Sequence, residues 1–315
     1  MSGLKMPTDN GPGTTFMQPS LMTPRVIYQF ATVSLIWGST WLVITMQLGT
    51  VPPSWSVAYR FLLAAAVMLV LCVATGKPLR MNLAGHGFAL AVGVLQFVGN
   101  FNLVYRSEQY LTSGLVAVVF ALLVVANALL ARIFLKTRVT LRFMLGGALG
   151  IAGVLMMFGT DLAAPAAGTN VVTGLALVGL AVVSASGGNV LQATKLGRSL
   201  PIEPALAWAI LYGALLDTAL AWSTSGPAVF DWQWRYVAGL GYLAVVATAV
   251  AFSLYYSLIR SIGPARAAYT SVVTPIVALS LSMVFEHYRW TALAAAGAAL
   301  ALAGLVIALR SRAAA

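Results

Sequence analysis

The chain has 315 residues, of which 60% are hydrophobic and only 8% charged, with a mean hydropathy of +0.92. A soluble domain carries roughly 25% charged residues, so a water-soluble fold is excluded and the chain reads as an integral, multi-spanning membrane protein. The net charge of +11 does not point to nucleic acid, because the basic residues stand singly at the ends of apolar runs and form no basic block.

In chain order, residues 1–24 are polar, rich in Pro, Gly and Thr, and lack the apolar core of a signal peptide. They are expected to form a flexible cytoplasmic tail. Ten long apolar runs follow. Each span must satisfy its own backbone hydrogen bonds, and uninterrupted runs select helices over the alternating strands of a barrel. The expected fold is therefore an all-α membrane protein of ten transmembrane helices. They lie near 27–47, 53–75, 84–105, 110–132, 139–158, 171–194, 203–223, 235–257, 265–285 and 291–309.

Polar and aromatic side chains at lipid depth are costly unless they face the bundle interior, which makes them the candidate solute contacts. Span 1 offers Trp37, Ser39, Thr40 and Trp41 around Gly38. Trp37 lies too deep for an interfacial belt and reads as a cavity wall, whereas Trp41 reads either way. Span 3 carries Gln96 and Asn100 on one helix face, then Asn102 and Tyr105. Span 6 carries Ser184, Ser186, Asn189 and Gln192 around Gly187-Gly188. Span 8 adds Thr248, Tyr255 and Tyr256, and span 9 adds Tyr269, Thr270 and Thr274. Two readings stand for each: contact with a solute, or a hydrogen bond to a neighbouring helix. Pro275 removes a backbone donor and bends span 9, as a gating hinge or as a static kink. Arg60 in span 2 and Asp217 in span 7 are the charges closest to lipid depth. They are read as gating or structural charges, and pairing with each other would lower the cost of both. The glycines Gly146, Gly150 and Gly153 of span 5, with Gly297 and Gly304 of span 10, read as small-residue helix packing.

The remaining residues exclude rather than suggest. Cys72 is the one cysteine, so there is no internal disulfide and no cysteine metal site. No zinc-protease, nucleophile-elbow or Walker motif occurs, so neither an enzyme nor a cofactor or metal is expected. With the N-terminus inside, fourteen of the eighteen Lys and Arg residues fall on the cytoplasmic side. Only Arg106, Arg235 and Arg289 fall outside, with Arg60 buried in span 2. This positive-inside bias places both termini in the cytoplasm.

The chain also matches itself. At a shift of 151 residues, Phe101 meets Phe252, Tyr105 meets Tyr256, Arg138 meets Arg289, Thr140 meets Thr291, Gly146 meets Gly297 and Gly153 meets Gly304. Residues 25–160 and 161–315 are therefore read as two five-helix repeats. Five is odd, so the second enters the membrane from the opposite side, as in many alternating-access carriers.

Ten spans in two halves, Trp-Gly-Ser-Thr at Trp37–Thr40, Tyr59-Arg60-Phe61, and Thr274-Pro275 followed by Phe285-Glu286 resemble the drug/metabolite transporter superfamily. Within it they are most similar to EamA-type exporters, over about residues 28–310. Two family features of span 4 are replaced here, a proline by Val124 and a terminal acid by Leu135. The resemblance implies a carrier of the bacterial inner membrane that exports small metabolites, with aromatic or neutral amino acids as the first expectation. A drug or toxic-cation efflux carrier of the same fold is the alternative, and a non-transporting scaffold a more distant one. The expected partners are a small solute and the lipid bilayer, with the chain acting as a monomer.

Overall fold

The computed structural model describes residues 23–310 apart from 46, 48, 112–115, 117–118, 158–169 and 286–290. The expected tail up to residue 22, the side chain of Trp41 and the Glu286 of the terminal motif lie outside the described residues.

Ten helices of 13 residues or more occur among the described residues. They are α1 (Pro24–Thr45), α2 (Pro53–Ala74), α3 (Leu83–Ser107), α4 (Leu123–Leu135), α5 (Leu141–Met157), α6 (Val171–Gln192), α7 (Ile202–Ser225), α8 (Trp234–Ile262), α9 (Thr270–Phe285) and α10 (Ala292–Leu309). Seven of these, α1–α3, α6–α8 and α10, are long and apolar enough to cross a membrane, and α4 and α5 are shorter apolar helices. No strand occurs among the described residues. Val70, Ile133, Phe134, Val172 and Leu180 point outward and are exposed, the apolar surface that lipid covers.

Local chemistry sets the helix ends. Asn82, Asn170 and Thr291 cap α3, α6 and α10, accepting from the backbone N–H groups of Gly85, Thr173 and Ala294 at 2.9, 3.1 and 3.0 Å. Proline opens α2 at Pro53, where its missing N–H costs nothing. α8 closes at Gly263 with φ of 85°, a left-handed conformation that suits glycine, and Pro264 follows.

The packing comes in pairs related by the 151-residue shift. α5 packs on α10 and α2 on α7, each on its own repeat mate. The contact of α1 with α9 is matched by that of α6 with α4, and the contact of α1 with α8 by that of α6 with α3. The α5–α10 seam is backbone on backbone. A Cβ on Gly153 would sit 2.5 Å from the Gly297 carbonyl oxygen, and one on Gly304 would sit 2.5 Å from that of Gly146. Under the shift, the pair Gly153–Gly297 maps onto the pair Gly304–Gly146, so the seam is complementary to itself.

The same pairing recurs inside α3 and α8. Both widen into a π-helical segment, Gly93–Asn100 in α3 and Val245–Val250 in α8. Shifting the first by 151 brackets the second. A π turn leaves carbonyls off the ordinary helical ladder, and here neighbouring side chains meet two of them. Ser184 Oγ of α6 donates to the Leu95 carbonyl at 2.7 Å, and Trp37 Nε1 of α1 donates to the Ala247 carbonyl at 3.2 Å.

Candidate functional site

A cavity lies where α1, α2, α3, α6, α8 and α9 converge, lined also by Phe120, which precedes α4, and by Leu123 at its start. Its volume is about 110 Å³, room for several water-sized groups side by side. Both halves of the chain contribute.

One wall is aromatic. The Trp37 ring packs edge-on to Phe252 and Tyr255, with centroids 5.2 and 4.7 Å apart. Because the indole N–H is held by the Ala247 carbonyl, the ring is fixed in place with its faces left for apolar contact. Phe101 and Phe252, equivalent under the repeat shift, both line the cavity with ring centroids 6.3 Å apart.

The polar wall comes from α2, α3, α6 and α9. Gln96 and Asn100 lie in the π segment of α3, both buried, and each presents an amide oxygen that no protein donor meets among the described residues. Gly188 of α6 lets this segment approach, since a Cβ there would be 3.1 Å from Gln96 Oε1. On α9, Thr274 and Pro275 line the cavity with Ser271. Proline at position 275 has no N–H to give, so the Ser271 carbonyl one turn earlier lacks its helical donor. Thr40 also lines the cavity, its hydroxyl turned back to the Trp37 carbonyl at 2.6 Å.

Arg60 is the cavity's cation and is 2% exposed. Its Nε donates to Thr248 Oγ1 at 3.0 Å, while Thr248 itself donates to the Leu243 carbonyl five residues earlier, a spacing that the π turn of α8 creates. The guanidinium carbon stands 4.7 Å from the Phe101 ring centroid and 5.5 Å from that of Phe61. Tyr105 is within hydrogen-bonding reach.

The expected pairing of Arg60 with Asp217 is corrected. Asp217 accepts from Asn102 Nδ2 at 2.6 Å, outside the cavity lining, and makes no ion pair with Arg60. The reason is rotational. α7 presents Asp217 to α3 and not to the face of α2 that carries Arg60.

On another side of the cavity, polar groups are joined to one another. Asn189 Nδ2 donates to the Tyr255 hydroxyl at 3.3 Å and lies 3.5 Å from Asn127 Oδ1, and Asn127 Nδ2 donates to the Pro264 carbonyl at 2.9 Å. These bonds tie α4, α6, α8 and the turn before α9. Farther along, Arg260 donates to Gln192 Oε1 at 3.3 Å and to the Leu200 carbonyl at 2.7 Å.

Of the residues expected at a site, Trp37, Thr40, Gln96, Asn100, Tyr105, Asn189, Tyr255, Thr274, Pro275 and Arg60 share this cavity. Thr248 supports it from behind through Arg60. The others are placed elsewhere. Ser39 bonds the Tyr242 hydroxyl. Ser186 and Tyr256 are buried away from the lining. Tyr269 packs edge-on against Phe143 of α5, and Thr270 bonds the Ala267 carbonyl. Sequence reasoning did not single out Asn127, Ser271, Phe101 or Phe252 as site residues. Asn127 carried a usable signal as a lone amide within an apolar run, and Phe101 and Phe252 stood out only as repeat markers. Just past α3, Glu108 is half-buried, and burial pushes its carboxyl up to about 7.

Among known proteins, the model of the EamA-like transporter family matches twice, over residues 25–159 and 173–310. Protein PagO of Salmonella typhimurium is 24% identical over 263 residues, 82% of this chain and 84% of that one. The uncharacterized inner membrane transporter YedA of Escherichia coli K12 is 29% identical over 276 residues, 78% of each chain. A probable amino-acid metabolite efflux pump of Salmonella typhimurium is 25% identical over 295 residues, 87% of this chain and 91% of that one. A solved crystal structure shares the fold, with a TM-score of 0.75 at 20% identity, covering 90% of this chain and 96% of the other.

Proposed function

The chain belongs to the EamA-like transporter family, and from that premise we propose that it exports small metabolites, aromatic or neutral amino acids first among them, across the inner membrane by alternating access. The observation that carries this reading is a single cavity shared by the two halves, with an aromatic wall of Trp37, Phe252 and Tyr255 facing the amides of Gln96 and Asn100. A site of that chemistry suits a solute with an apolar body and a polar head.

The architecture in this proposal is ten crossings, five from residues 25–160 and five from 161–315, in opposite orientations with both termini cytoplasmic. The paired helix contacts, the matched π segments and the double family match support it. The names borne by relatives, an inner membrane transporter and a probable amino-acid metabolite efflux pump, support the location and solute class. One chain builds the whole cavity, which supports a monomer as the working unit.

Purified protein reconstituted in liposomes tests the proposal. Saturable, downhill flux of a labelled neutral or aromatic amino acid is expected. No flux across a broad panel of solutes would sink the carrier reading in favour of a scaffold. The same vesicles with an imposed pH gradient address coupling, since an unchanged rate dismisses proton-driven transport.

A further inference from the structure

We propose that Arg60 anchors a carboxylate of the transported solute, so that the carrier selects for a carboxylate and against the corresponding decarboxylated amine. This rests on the transport reading above and names its substrate chemistry.

Arg60 is a fully enclosed guanidinium with no carboxylate partner among the described residues. Glu203 pairs with Lys77 at 2.6 Å, Asp217 is held by Asn102, Asp231 accepts from the backbone N–H of Gln233, and Glu108, three residues beyond Tyr105, makes no ion pair with Arg60. What holds Arg60 is neutral: the Thr248 hydroxyl, the Tyr105 hydroxyl and the faces of Phe101 and Phe61. These position the group without neutralising it. Nη1 is buried and meets no protein acceptor. An uncompensated charge with an idle N–H is expensive at lipid depth, yet four neighbouring groups fix it on the cavity wall. A purely structural arginine would be expected to spend its N–H groups on the protein.

The rest of the lining agrees. Among the described residues no acidic side chain lines the cavity, so a cation finds no counter-charge from them there. Beside Arg60 the lining is neutral: the side-chain amides of Gln96 and Asn100, and Ser271, whose carbonyl Pro275 leaves without its helical donor, are among the groups that an ammonium would meet. A carboxylate on Arg60 forms a charge-assisted bond out of water, the strong kind, whereas the ammonium meets only amides and ring faces. The carboxylate is therefore required and the ammonium is dispensable. This chemistry also disfavours a toxic-cation carrier.

The test uses full-length protein in liposomes and matched sets of solutes that share a side chain: an amino acid, its deaminated acid and its decarboxylated amine, such as phenylalanine, phenylpropionate and phenethylamine. Flux of the labelled amino acid is measured against each unlabelled competitor. The acid should compete and the amine should not. Arg60→Gln should raise KM about thirtyfold and erase the preference for the acid, while Arg60→Lys should restore part of it. Thermal unfolding of each variant in detergent checks that it is folded. An amine that competes as well as the acid on the wild-type protein overturns the proposal without using any variant. So does a folded Arg60→Gln carrier whose selectivity is unchanged. In both cases the carrier reading survives, whereas absence of flux for every solute overturns both.

Discussion

The two repeat mates α3 and α8 share a backbone device and put it to different uses. Each opens a π turn at the equivalent place, and each lends a freed carbonyl to a neighbour. In α3 the turn carries Gln96 and Asn100, two cavity-lining residues whose buried amide oxygens meet no donor among the described residues. In α8 it carries Thr248, whose hydroxyl is fully engaged, accepting from Arg60 and donating to Leu243. One copy presents unsatisfied polar groups, while the other satisfies them and holds the charge in place. The same geometry occurs twice, and different residues give one copy presentation and the other support. Buried polar groups left unmet by the protein are the signature of the presenting copy.

That division predicts crossed effects on stability and transport. The largest should come from the supporting copy. Thr248→Val leaves the Arg60 Nε–H without an acceptor, and should cost about 1–3 kcal/mol of stability together with a raised KM, measured by thermal unfolding and by flux. Next comes the presenting copy. Gln96→Leu and Asn100→Leu should leave the melting temperature unchanged or raised, because an unmet buried amide is removed, yet lower flux by about tenfold. If these variants unfold as readily as Thr248→Val, the division is wrong. Smaller still is Ser184→Ala, which strips the donor from the Leu95 carbonyl at about 1 kcal/mol and should loosen α3 against α6, read as faster hydrogen exchange around residue 95.

The smallest effect concerns the C-terminal end of α3. The folded Glu108 carboxyl titrates near 7 against an ordinary value of 4.5, so it holds its proton more tightly folded than unfolded. Its contribution to stability is present below the unfolded value and is lost as pH rises through about 7. Glu108→Gln should therefore raise the melting temperature at pH 8 and leave it unchanged near pH 4.

Apolar run lengths located several helices closely, although α4 begins at Leu123 where a start near 110 was expected. α2 at Pro53–Ala74 and α10 at Ala292–Leu309 fall within a residue or two of the expected spans. The candidate site was legible in depth but not in azimuth. A polar residue at mid-span looks the same in a sequence whether it lines a cavity, as Asn100 does, or bonds a neighbouring helix, as Ser39 does. The π turns were not legible, because no residue type encodes them, and they rotate the latter part of each helix relative to an ideal 3.6-residue count. Phe101 and Phe252 illustrate the gap: their equivalence was plain in the sequence, but only the fold brings them within 6.3 Å.

The α5–α10 seam has a mechanical consequence. Side-chain interfaces slide by switching rotamers, but where Gly153 meets Gly297 and Gly146 meets Gly304 there is no side chain to switch. Bare backbone resists shear and tolerates rotation about a line through the four glycines. The seam is thus the expected axle of the proposed movement. In the alternating access proposed above, displacement is expected to be least along this line and to grow with distance from it.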